Sequence, residues 1–313
     1  MTGVRSSEEA LLKRIIRKAL TPFHPGVIES IGDDCAIFRP RGAAEDLLFT
    51  TDLMLEDVHF RRDTHSARDA GHKALARGLS DIAAMGGDPR FCLLSLAVPR
   101  WADEGWVDGF YSGFLRLAGK TATPLVGGDL ARTERLACDV IVCGAAPRGQ
   151  ALLRSGGRAG DAIYVSGRLG GSKLGLLCKK GPAWKRHLRP EPRLELGRFL
   201  REKLGATAAM DLSDGLSLDL RRLCAASGVS AEILTPLLST GATFPGATLD
   251  QALHGGEDYE ILFTVKPKTA VPSNFKDLPL TRIGTLRRGR IGRVLLDGAP
   301  LAPLGFDHFQ NTL

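Results

Sequence analysis

Short apolar runs alternate along this chain with segments whose apolar side chains recur every three or four positions, and the alternation is clearest in the first half. Leu47 to Thr51 predicts a short strand running into Asp52. Gly71 to Met85 carries Leu75, Leu79 and Ile82 at helical spacing, Phe91 to Val98 is a near-continuous apolar strand, and Val107 to Ala118 returns to the helical period. Ala137 to Ala146 closes this half as a strand. Pro147-Arg148-Gly149 and Arg154-Ser155-Gly156-Gly157 then form a glycine- and arginine-rich stretch that suits a domain boundary.

The second half restarts the pattern. Strands are predicted at Asp161 to Ser166, Ser230 to Leu234, Tyr259 to Val265 and Arg293 to Leu296, with a helix from Ser172. The clearest helix is 216–226, where Leu216, Leu220, Leu223 and Cys224 share one face, Ser213 or Asp214 can cap the start and Gly228 can end it. The predicted organisation is a mixed α/β (α+β) chain with an N-terminal domain at 1–148 and a C-terminal α/β domain at 149–313. The length of 313 residues accommodates two cores.

Charge narrows the function classes. Lys and Arg number 42 against 35 Asp and Glu, a net charge of +7, yet no basic run is interleaved with aromatics, and there are only three Trp and three Tyr. Nucleic-acid binding is therefore not expected. The densest basic stretch, Lys179 to Arg193, holds three prolines and reads as a solvated loop and helix entry. The N-terminal 1–20 segment reads as an amphipathic helix with charges throughout, and no stretch reaches the roughly 18 apolar residues of a membrane span, so a cytoplasmic protein is expected. The six cysteines (35, 92, 138, 143, 178, 224) lie mostly in apolar runs and never as Cys-x-x-Cys, which predicts reduced, buried thiols rather than disulfides or a zinc site.

Against this basic background stand six acidic clusters, each beside glycine, a hydroxyl residue or both: Gly32-Asp33-Asp34, Thr50-Thr51-Asp52, Ser80-Asp81, Gly127-Gly128-Asp129, Asp211-Leu212-Ser213-Asp214-Gly215 and Gly255-Gly256-Glu257-Asp258. Short carboxylates at loop-like junctions, scattered over more than two hundred residues, are what a fold needs to gather hard oxygen ligands around Mg²⁺. Taken alone, Ser213-Asp214-Gly215 is only a helix N-cap. In company with the other clusters it reads as a meeting point of phosphate oxygens and metal ligands at a helix start. Familiar nucleotide signatures are excluded: Gly119-Lys120-Thr121 mimics the end of a P-loop, but Phe114 stands where the leading glycine must be, and neither a kinase catalytic loop nor a Gly-x-Ser-x-Gly elbow occurs.

Seven segments in register (31–38, 50–60, 71–91, 127–132, 154–170, 208–220 and 252–265) closely resemble the thiamine-monophosphate kinase family over nearly the whole chain. Its wider superfamily includes aminoimidazole ribonucleotide synthetase, selenophosphate synthetase and a hydrogenase maturation protein. The resemblance implies an aminoimidazole ribonucleotide synthetase-like fold, with an N-terminal sheet domain that pairs with its twin in a homodimer and a C-terminal α/β domain. It implies ATP and thiamine monophosphate as substrates. Asp34, Thr50, Thr51, Asp52, Asp81, Asp129, Asp211 and Asp214 correspond to Mg²⁺ ligands, and Asp33 is the less favoured member of its pair. Tyr111, Gly128, Asp129, Arg154 and Ser213 correspond to the ATP site. His59, Glu257 and Phe306, the last within Gly305 to Phe309, correspond to contacts with the thiamine phosphate.

The residue types suit that chemistry. Donor and acceptor are both multiply anionic, since a phosphate monoester has its second pKa near 6. The acceptor is already an oxyanion, so no general base is called for, and Arg154 with Asp52 and Asp81 carries the expected catalytic burden of charge stabilisation. Three departures bear on affinity: Asp57 stands where the family often has glycine, Leu130-Ala131 replaces a usual Thr-Thr pair, and Gly171 sits where aspartate commonly follows Leu-Gly. Competing readings are a superfamily relative with another acceptor, which the absence of a reactive Cys near the N-terminus disfavours, and a silent ATP-binding regulator, which the intact carboxylates disfavour.

Overall fold

The computed structural model describes residues 8–19 and 25–309. Helix α1 (Glu8–Ala19) occupies the middle of the amphipathic N-terminal segment, whose residues 1–7 and 20 lie outside the described residues. A first sheet is built from β1 (Val27–Glu29), β2 (Ala36–Phe38), β3 (Glu45–Leu55), β4 (Asp88–Pro99), β5 (Leu125–Thr133) and β6 (Ala137–Pro147), in the order β1-β2-β3-β6-β4-β5. In this sheet, among the described residues, only β4 and β5 pair in parallel, joined by the crossover helix α3 (Glu104–Lys120).

Helix α2 (Ala67–Ala84) lies between β3 and β4 in sequence. Ser66 caps it, its hydroxyl accepting the Asp69 N–H at 3.2 Å, and the predicted inward residues Leu75, Leu79 and Ile82 are fully buried. Helices α2 and α3 pack backbone to backbone. A Cβ at Gly71 would lie 1.9 Å from the Phe110 carbonyl oxygen and one at Gly113 2.0 Å from that of Arg68, so only glycine permits the approach.

The second sheet contains β7 (Ala162–Ser166), β8 (Ala208–Asp211), β9 (Ser230–Ile233), β10 (Ile261–Val265), β11 (Asn274–Phe275), β12 (Leu278–Arg287), β13 (Val294–Leu296) and β14 (Ala299–Pro300). Its order is β14-β13-β9-β12-β7-β10-β8, with β11 paired to β12. Around it lie α4 (Gly171–Cys178), α5 (Gly181–Leu188), α6 (Leu194–Phe199), α7 (Leu216–Ala226), the single turn α8 (Thr235–Leu237) and α9 (Leu249–His254). Each sheet has its own apolar core. A third cluster, including Ala83 of α2, Leu152, Leu200, Ala209 and Phe263, joins the two halves, so α2 belongs to both.

Several expectations need correction. The acidic clusters are not all at junctions: Thr50 to Asp52 lies inside β3 and Ser80-Asp81 inside α2, because the apolar period continues through both, and Asp129 lies inside β5, which is held by its pairing with β4. The cap position of α7 is Gly215 (φ +112°), with neither Ser213 nor Asp214 capping. Instead the Asp219 carboxylate, one turn on, accepts the N–H groups of Asp214 and Gly215 at 3.1 and 3.0 Å. The basic 179–193 stretch is not simply solvated, since Arg186 and Arg193 both pair with the buried Glu260. All six cysteines are free and five are buried; Cys178 is exposed.

Candidate active site

Helix α2 sets out the site. Lys73, Arg77 and Asp81 recur every fourth residue, which places them on one face over about 12 Å. Each meets a different part of the cleft between the two sheets.

At the Asp81 end, carboxylate oxygens of Asp34, Asp81 and Asp211 all lie within 4.8 Å of one another. Asp34 comes from the loop before β2, Asp81 from α2 and Asp211 from the end of β8, so three elements from both halves converge. The Thr50 hydroxyl donates to Asp81 at 2.5 Å and that of Ser80 to Asp211 at 2.9 Å. Burial, and then repulsion among these carboxylates and Asp52, push the Asp81 carboxyl far above its ordinary range; burial and the Asp34 charge do the same to Asp211. Asp34 Oδ2 is buried and finds no hydrogen-bond partner among the described residues. A divalent cation fits this set: all donors are hard oxygens, and the ion would cancel the repulsion that the protein leaves in place.

Three guanidinium groups counter the outlying charge. Arg154 pairs with Asp34, Arg77 with Asp52 at 2.6 Å, and Arg222 with Asp214. Asp33 spends its carboxylate on backbone, accepting the N–H of Asp34 and of Arg154, both at 2.9 Å. Ser213 lies in the β8–α7 turn, where its carbonyl accepts the Glu257 N–H at 2.7 Å.

The remaining candidates sit elsewhere. Alternation along β3 sends Thr51 to the opposite face from Thr50 and Asp52, where its hydroxyl donates to Asp139 at 2.6 Å. Asp129 of β5 borders a shallow depression there with Leu53 and Asp139, so the chain does not itself bring Thr51 or Asp129 side chains to the Asp34–Asp81–Asp211 cluster. Gly128 is required beside it, because a Cβ would lie 1.9 Å from the Leu94 carbonyl oxygen. Tyr111 packs from α3 against the first core, edge-on to Phe110.

Beyond the Arg77 step of α2 opens a cavity of about 150 Å³ whose walls include His59, Arg77, Ser213, Asp214, Glu257 and Phe306. The structure thus brings together the three residues expected at the acceptor. His59 Nδ1 accepts the Leu55 N–H at 3.0 Å, which leaves Nε2 as the protonated nitrogen, and burial together with Arg77 depresses its pKa to about 2. Glu257 sits in a left-handed conformation (φ +56°). Burial alone would raise its carboxyl, but Lys73 and His187 outweigh that and hold it at about 2. Phe306 is steadied by its N–H to the Asp214 carbonyl at 3.0 Å and by His308, edge-on at 4.7 Å.

Sequence reasoning missed Lys73, Arg77, Arg222 and Asp139. Lys73 is fully buried, its ammonium 2.8 Å from Glu257 and donating to the His59 carbonyl at 3.0 Å, so one side chain anchors two walls of the cavity. The four-residue spacing from Lys73 through Arg77 to Asp81 was the available signal. A larger groove of about 720 Å³, lined by Leu117, Arg193 and Phe275 among others, lies apart and contains none of the clustered carboxylates.

Residues 32–149 match the family described as AIR synthase related protein, N-terminal domain. The chain is 36% identical over 314 residues to thiamine-monophosphate kinase of Bacillus subtilis (strain 168), covering 93% of this chain and 96% of that one. To the Escherichia coli (strain K12) thiamine-monophosphate kinase it is 37% identical over 305 residues, covering 90% and 92%. Among solved structures it is similar to AaThiL complexed with AMPPCP and TMP, with a TM-score of 0.84 and 32% identity over 99% of this chain and 100% of that one.

Proposed function

The chain belongs to the thiamine-monophosphate kinase family and phosphorylates thiamine monophosphate with ATP, and from that premise we propose how its own residues carry the transfer. The reading rests above all on the Asp34–Asp81–Asp211 cluster standing beside a cavity walled by His59, Glu257 and Phe306. An oxygen of the acceptor monophosphate attacks the terminal phosphorus of ATP. A new P–O bond forms, the bridging bond breaks, and its electron pair leaves on ADP, so no proton need move.

Asp34, Asp52, Asp81 and Asp211, with the Thr50 hydroxyl, are the residues that would hold Mg²⁺ around the phosphates, and Asp214 borders the cavity close by. When bound, the ion supplies charge neutralisation for two polyanions and a template for their alignment. Arg154, drawn to Asp34 in this structure, is the guanidinium available to the migrating phosphoryl. Phe306 offers a ring face to the thiamine, His59 an N–H, and Glu257 a carboxylate kept ionised by Lys73. Gly128 and Asp129 of β5, with Tyr111 and Ser213, complete the proposed ATP contacts.

The direct test is purified protein with ATP, Mg²⁺ and thiamine monophosphate, scored for thiamine diphosphate. Phe306→Ala is expected to raise KM for thiamine monophosphate about tenfold, the loss of one stacked aromatic, with KM for ATP nearly unchanged. Unphosphorylated thiamine is expected to be a poor acceptor, because its neutral hydroxyl has no base to activate it. Equal use of thiamine, or a Phe306 variant that loses ATP affinity instead, would remove these residues from the acceptor site.

A domain boundary at 148/149 is proposed, in keeping with the end of β6 at Pro147 and the start of β7 at Ala162. A homodimer through the first sheet is proposed because β5 is exposed along nearly its whole length and presents Val126 and Leu130, 58% and 65% exposed. Light scattering is expected to give twice the 33.6 kDa chain mass, and a monomer at micromolar concentration would rule the pairing out. Among the described residues no helix is long and apolar enough to cross a membrane, and cytoplasm is the compartment proposed.

A further inference from the structure

We propose that Arg77 binds the phosphate of the acceptor and so makes the enzyme select the phosphorylated vitamin. The inference rests on the reading of the His59–Glu257–Phe306 cavity as the acceptor site. Arg77 projects from the middle of α2 and forms part of the wall of that cavity, with only 11% of its side chain exposed. One nitrogen, Nη2, meets Asp52 at 2.6 Å. The others do not fare as well: Nε and Nη1 are buried and have no hydrogen-bond acceptor among the described residues.

Buried guanidinium N–H groups are costly to leave unmet, and a native site answers them with an acceptor. The chemistry of that acceptor is narrow. Nε and Nη1 lie on different edges of the guanidinium, and the acceptor each takes best is an anionic oxygen such as a phosphate offers, whereas the cationic thiazolium ring would be repelled. Position decides which phosphate. Arg154 stands at Asp34, across the carboxylate cluster, while Arg77 lies between Asp52 and the cavity that holds the organic part of the acceptor. The group at that junction is the monophosphate, where it leaves the cavity and enters the cluster. Asp52 orients the guanidinium, and Tyr259, Glu257, Cys138, Lys73 and His59 are the other ionisable neighbours around it. Selection against thiamine then follows from the unmet N–H groups that the unphosphorylated vitamin would leave behind.

Equilibrium binding of thiamine monophosphate and of thiamine, each in the presence of Mg²⁺ and ADP, tests this without turnover. Arg77→Met is expected to weaken thiamine monophosphate binding roughly 10- to 100-fold while leaving thiamine affinity unchanged, so that the preference between them collapses. Arg77→Lys, which keeps a cation beside Asp52 and lacks the further N–H groups of Nε and Nη1, is expected to fall between and remains usable if the Met variant does not fold. Parallel loss of both ligands would mean a structural role, and a matching loss of ADP affinity would mean action through Asp52. Either result, or no change, overturns the proposal. Phe306→Ala in the same assay separates the two layers: if it leaves both ligands untouched, the cavity assignment itself fails whatever Arg77 does.

Discussion

Asp81→Asn is expected to lower kcat on the order of a thousandfold while leaving the metal-free protein as stable as before, or more so. Asp81 faces Asp34 and Asp211 with oxygens within 4.8 Å, and burial followed by that repulsion raises its carboxyl far above the ordinary range. A carboxyl raised in the fold favours the folded state while protonated, and that contribution is lost as pH climbs through the raised value. The metal-free protein therefore carries a penalty at neutral pH that asparagine, uncharged and of similar shape, removes. Mg²⁺ acts with the opposite sign, since it binds only the ionised carboxylates. Its stabilisation of the wild type is expected to be small near about pH 5 and large near about pH 8, and to be mostly absent in the variant. Thermal melts with and without Mg²⁺ at the two pH values check both halves. A variant that keeps its turnover, or one that melts far lower without metal, would take Asp81 out of the cluster role.

Arg154→Ala is expected to cost about a thousandfold or more in kcat, in the range seen when a guanidinium is withdrawn from a migrating phosphoryl. The complication is that Arg154 also pairs with Asp34 and offers its backbone N–H to Asp33, so part of any effect is structural. Arg154→Lys separates the roles. Lysine restores a charge beside Asp34 and hence stability, yet its single ammonium lacks the planar fork, so most of the rate loss should persist. If lysine returns rate together with stability, Arg154 is only a counterion. The Arg77 and Phe306 experiments probe the other end of the same cleft, so loss of rate there should come through acceptor affinity instead.

Local pattern carried much of the fold. The apolar periods placed β3, α2, β4, α3 and β6 to within a few residues, and α7 at its observed bounds, because burial of one face imposes its period on the sequence. β5 went unread as a strand. Its Gly127-Gly128-Asp129 run has the composition of a turn, and the need for glycine comes from the Leu94 carbonyl on the neighbouring strand, which no local pattern records. The separation of Thr51 from Thr50 and Asp52 was, by contrast, implicit in the two-residue period of β3.

By itself the sequence determined which residue types are available for phosphate chemistry and, through seven motifs in register, the family. Short carboxylates and hydroxyls are chemically committed wherever the chain puts them. Tertiary structure alone decided which of them meet. Asp34, Asp81 and Asp211 are far apart along the chain and converge only because α2 packs against both halves. The same packing buries Lys73 against Glu257 and leaves two Arg77 nitrogens without a partner among the described residues. Pairing and desolvation are properties of distances in space, and a linear order of residues does not contain them.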